Sequence, residues 1–100
     1  MTYTVQVRPA AERDIERAED WYAIEAPDHV ELFEKELDHA INRAVTHPLL
    51  PPALVAGARR VHLAIYPYEI WYLVHEHLRI IEVAALVHDR QNLDSVVARL

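Results

Sequence analysis

Cysteine is missing from the 100 residues of this chain, glycine occurs once, and lysine is confined to Lys35. Each shortage excludes something. Without cysteine there is neither a disulfide frame nor a thiolate zinc site, which fits a reducing compartment. With Gly57 as the lone glycine, no glycine-rich loop can cradle the phosphates of a nucleotide. The longest purely apolar run, Val83 to Val87, falls far short of the roughly 20 residues that span a bilayer. The opening stretch MTYTVQVRPA alternates and holds no apolar heart of a secretory signal. A soluble, cytoplasmic protein without a membrane partner is therefore expected.

What is present reads as an ordinary globular domain: 52% hydrophobic and 26% charged residues, enough for one core and one domain over residues 1–100. The formal charge is −6, and the acid is concentrated early, from Glu12 to Asp38. Arg59, Arg60, Arg79, Arg90 and Arg99 lie in the second half. A protein bound mainly through phosphates should be net basic, so the balance counts against broad nucleic-acid binding.

Thr2 to Arg8 alternates as a half-buried strand does, and Pro9 suits the first turn of a helix. Ala11, Ile15, Ala18 and Tyr22 carry that helix to about Glu25, and Ala26-Pro27 ends it. Asp28 and Glu31 have capping-box spacing ahead of a second helix striped by Val30, Phe33, Leu37, Ala40, Ile41, Ala44 and Val45. His47-Pro48 stops it. The short link between the two predicts a helical hairpin. After the proline-rich connector PLLPPALVAGA the period changes to two. Val61 to Ile65, EIWYLVHE and HLRIIEVAALV predict three consecutive antiparallel strands, and Asn92 caps a short final helix. The fold class is α+β, ordered β-α-α-β-β-β, with a mostly antiparallel sheet packed on the hairpin.

A two-residue loop at Glu76-His77 would oppose Val74 to Arg79, Tyr72 to Ile81 and Ile70 to Val83. That face, continued by Ala85 and Val87, is aliphatic and is assigned to the core. The other face then gathers Arg60, His62, Trp71, Leu73, Ile80, Glu82, Leu86 and His88, with Arg90 beyond them. Arg60, His88, Arg90 and Glu82 are the candidate catalytic groups. Trp71, Leu73, Ile80 and Leu86 form an apolar patch expected to meet a partner or a second copy. His75 and His77 share a face, but a hairpin tip accounts for them, and no metal or cofactor is expected.

Several stretches together resemble the RelE/ParE toxin superfamily of bacterial type II toxin–antitoxin modules. They are VRPAAERDIERAEDWY, FEKELDHAI, RRVHLAIYPYEIWYLV and EVAALVHDRQNLDSVVARL, in that order over nearly the whole chain. The resemblance implies a cytoplasmic toxin of a plasmid-stabilisation type, neutralised by a cognate antitoxin as a hetero-oligomer or as a homodimer. RelE-like members cut mRNA on the ribosome, whereas ParE-like members poison DNA gyrase. Metal-free RNA cleavage needs a base, an acid and cations around the phosphorane. His88 or Glu82 could take the proton, and Arg60 and Arg90 could hold the phosphate. Against this, the nucleases are similar in carrying lysines in the connector and a late aromatic. Here no lysine but Lys35 occurs and no tyrosine follows Tyr72. Arg60 could instead simply pair with Glu82 across the sheet. The expected function is gyrase inhibition by binding; a ribosome-dependent endonuclease and a non-toxic binding module are the alternatives.

Overall fold

The computed structural model describes residues 2–100. Strand β1 (Thr4–Val7) leads through Arg8 into helix α1 (Pro9–Glu25), with Pro9 at its first position as the sequence predicts. A 3₁₀ turn (Pro27–His29) joins it to helix α2 (Val30–Thr46). Strands β2 (Arg59–His62), β3 (Tyr68–His75) and β4 (Ile80–His88) follow, then helix α3 (Leu93–Val97), whose N-terminus the Asn92 side chain caps by accepting the Asp94 N–H at 2.9 Å. The expected α+β order stands. The strands lie in the order β1-β4-β3-β2; β1 runs parallel to β4 and the other pairs are antiparallel.

Three local expectations are corrected. The capping box does not form: Pro27 winds the chain one turn early, Asp28 falls inside the 3₁₀ turn, and His29 precedes α2 without a side-chain cap. Strand β2 ends at His62 rather than Ile65, where the chain turns to pair the Leu63 N–H with the Tyr68 carbonyl at 2.9 Å. The β3–β4 loop holds four residues, not two, with His75 opposite Ile80. A two-residue loop needs positive φ at its first central position, and in the type I′ turn at both, which Glu76 and His77 are poorly suited to supply. The longer loop needs it at one, and Arg79 takes it at φ 55°.

A further shift lies deeper in the sheet. Tyr72 opposes Val83 but Trp71 opposes Ala85, so Ala84 is an extra residue in β4. Because side chains alternate, this bulge exchanges the faces of β4 beyond it. Leu86 joins Ile70, Tyr72 and Ile81 in the core beneath the hairpin, with Tyr22, Phe33, Leu37 and Ala40. Ala85 and Val87 turn to the opposite face. There they pack with Trp71, Ala58 and Val96 of α3, and with the partly buried Leu73 and Leu100.

Candidate functional site

The polar groups expected on one face are divided among three places. The first lies where β2, β3 and β4 end together. His62 and Glu69 are register partners, and Arg60 stands opposite Trp71. Glu69 is buried to 4% exposure. Its Oε1 accepts the Trp71 indole N–H at 2.9 Å and lies 3.6 Å from the Arg60 guanidinium, while its Oε2 is 3.1 Å from His62 Nε2. Asp89 follows β4 directly, with its N–H donated to the Pro67 carbonyl at 2.9 Å. The alternative of a cross-sheet pair of Arg60 with Glu82 gives way to a pair of Arg60 with Glu69. Sequence reasoning missed Glu69 because it reads as the polar start of a strand. Only the register, which sets it beside His62, could have singled it out.

Glu82 belongs to the second place, toward the other end of β4. It accepts the Arg8 guanidinium at 2.9 Å and pairs with His75 at 2.9 Å. Those two hydrogen bonds, Arg8 first, hold its carboxyl below the ordinary carboxylate range. A carboxylate so stabilised in its charged form is a poor proton acceptor. Arg8 also donates to the Arg99 carbonyl at 2.7 Å, so both chain ends are tied to this strand.

His88 occupies the third place. The bulge turns it to the helix side, where it meets Tyr68 edge-on at 5.0 Å and lines a cleft of ≈ 220 Å³ with Arg17, Trp21, Tyr68 and Gln91. Its Nδ1 accepts the Arg90 backbone N–H at 3.0 Å, which leaves Nε2 to carry the proton of the neutral ring. Arg90 itself is exposed in the turn beyond β4. Of the four candidate catalytic residues only His88 and Arg90 adjoin; Arg60 and Glu82 are each paired elsewhere. Nor do Trp71, Leu73, Ile80 and Leu86 form one open patch. Trp71 is buried at 2% and Leu86 at 3%, on opposite faces, while Leu73 lies beside α3 and Ile80 is half-buried at the start of β4. Trp21, on the same helix as the buried Tyr22, is 55% exposed.

Near the same cleft, the bulge leaves backbone groups of β4 that β1, ending at Val7, does not reach. Asp14 of α1, itself buried, accepts the Leu86 N–H at 3.2 Å. It also takes both arms of the Arg99 guanidinium at 2.7 Å, and Arg99 donates to the Ala84 carbonyl at 3.3 Å. The Asp14 hydrogen bonds hold the Arg99 guanidinium above its ordinary range. This pair, buried on the Asp14 side and partly exposed on the Arg99 side, completes the bulged edge.

Residues 5–93 match the sequence profile of a family described as the ParE toxin of the type II toxin–antitoxin system, parDE. The chain belongs to the ParE toxin family. Among solved structures, the chromosomal ParDE toxin–antitoxin system from P. aeruginosa is similar in fold, with a TM-score of 0.72 and 14% identity, over 86% of this chain and 95% of that one. The RelBE2 toxin–antitoxin complex from Mycobacterium tuberculosis is similar with a TM-score of 0.62 and 17% identity, over 88% of this chain and 99% of that one. Among curated protein sequences none matches. ParE family membership makes this chain the toxin-type component of a toxin–antitoxin pair, as the resemblance implied. Among the described residues, no helix is long and apolar enough to cross a membrane.

Proposed function

We propose that this ParE-type toxin inhibits DNA gyrase by binding, without catalysis of its own, and that a cognate antitoxin neutralises it. The separation of Arg60, Glu82 and His88 carries this reading. Phosphodiester cleavage needs a base, an acid and a cation within hydrogen-bond reach of one phosphate. Arg60 stands against buried Glu69, Glu82 is held between Arg8 and His75, and His88 faces the helices with its Nδ1 already accepting. Each of the three is thus engaged with a different partner, and of the candidates only His88 and Arg90 adjoin. The charge of −6 adds a second argument, since docking on ribosomal RNA would require many phosphate contacts.

Two assays on the purified toxin test the reading. Gyrase supercoiling should be inhibited in proportion to toxin and restored by adding antitoxin, and primer extension on ribosome-bound message should show no new stops. Codon-specific cuts abolished by His88→Ala would overturn it in favour of the endonuclease. Failure in both assays, with antitoxin binding intact, would favour the non-toxic binding module.

A further inference from the structure

We propose that His62, Glu69 and Asp89 form a binding site for a divalent transition-metal ion of the Zn²⁺ class. One ligand atom from each lies within 4.8 Å of the other two, although the residues are far apart in sequence. Their placement follows from the sheet. His62 closes β2, Glu69 lies at the start of β3 as its register partner, and Asp89 follows β4, fixed by its N–H to the Pro67 carbonyl. Three adjacent strand ends therefore converge on one point.

The buried carboxylate is prepared for a cation. Glu69 Oε1 is occupied by the Trp71 N–H at 2.9 Å and approached by Arg60 at 3.6 Å, so Oε2 is the oxygen turned to His62. Orientation of a ligating carboxylate by a neighbouring donor is how metal sites fix their inner ligands. The 3.1 Å between Oε2 and His62 Nε2 suits two neighbouring ligands of one ion. Bonds of about 2.0–2.2 Å in a tetrahedral shell set adjacent ligands about 3.3 Å apart. His62 and Asp89 are both exposed, so an ion can reach the site from solvent. One imidazole with two carboxylates, and no thiolate, suits Zn²⁺ and excludes a preference for Cu(I). The imidazole likewise disfavours Mg²⁺ and Ca²⁺, which take oxygen ligands. Three protein ligands leave a position open for water or for a side chain from a binding partner. None of this depends on the gyrase target, so the two readings fail separately.

Calorimetric titration of the full chain with ZnCl₂ in a non-chelating buffer tests the site, with thermal unfolding as a second readout. The wild type should bind Zn²⁺ and unfold at a higher temperature in its presence. His62→Ala and Asp89→Asn should each weaken binding at least about tenfold and remove the thermal shift, in line with the losses that follow disturbance of metal shells. His77→Ala, in the exposed β3–β4 loop, should bind as the wild type does. No binding at millimolar Zn²⁺, equal affinity in all four proteins, or Mg²⁺ binding as tightly as Zn²⁺ would each overturn the assignment. If His62 and Glu69 only pair with each other, the first of these results will appear.

Discussion

Asp14 shows how one side chain can settle a fold locally. A lone carboxylate on the apolar face of α1 looks out of place among Ala11, Ala18 and Tyr22. Its position makes sense once the β4 bulge frees the Leu86 N–H, for which no strand supplies a partner. Removing the carboxylate would leave that N–H and the Arg99 guanidinium without their acceptor. Asp14→Ala is expected to destabilise the protein by about 2–3 kcal/mol, at or below the low end for breaking a buried pair because Arg99 is partly exposed, measured by urea unfolding. Asp14→Asn keeps one acceptor and should cost less. A second residue-scale prediction concerns Glu19, whose carboxyl is pushed up to about 7 by burial and then by the neighbouring Glu34, Asp20 and Glu16. The folded state therefore holds this proton more tightly than the unfolded chain, where the group titrates near 4.5. That stabilisation is complete below the unfolded value and is lost as pH rises through about 7. Glu19→Gln should flatten the fall in melting temperature across this window. Solvent screening at this half-buried site holds the effect to about 1 kcal/mol. An identical pH profile in wild type and variant would remove Glu19 from the account.

At the scale of elements, the regular parts of the fold were legible and the irregular ones were not. The α2 stripe, Pro9 at the start of α1 and the Asn92 cap all declare themselves by spacing, and each is where the sequence puts it. The bulge left no such sign. Period two reveals a strand's faces only when one face is polar, and VAALV is apolar throughout because helices cover both sides of β4. With no alternation to mark the slip at Ala84, Leu86 and His88 were placed on the wrong face. The burial of Trp71 is hidden from the sequence for a related reason: α3, of five residues, is too short to advertise what it covers. Its packing yields a prediction. Val96 is fully buried against the Trp71 side of the sheet, so Val96→Ala should cost about 2 kcal/mol. Val96→Asp should lift α3 and expose the indole. In a Trp21→Phe background, fluorescence then reports Trp71 alone. Its emission should shift to the red and acrylamide quenching should rise, while the far-ultraviolet spectrum keeps its helical hairpin. Quenching unchanged from the parent would mean that α3 does not shield Trp71.

Over the whole molecule β4 is the strand that joins the early and late parts of the chain. It pairs with β1 from the start of the chain and with β3 beside it, and its bulge is closed by α1 and by Arg99 near the end. The parallel pair of Thr4 with Ile80 closes a loop over most of the chain, a costly contact that cannot form early. The β3–β4 hairpin, by contrast, is local and carries the fully buried Ile70, Trp71, Tyr72, Ile81 and Val83. Stability should therefore be graded. In native-state hydrogen exchange, amides of Tyr72 and Val83 should open only with global unfolding, those of β1 and β2 should open before them, and α3 should open first. Such an order would give a partner access to the Trp71 face through a low-energy opening that leaves the hairpin core intact. If α3 exchanged as slowly as β4, the two would be one cooperative unit. The Trp71 face would then be closed to any partner short of unfolding the toxin.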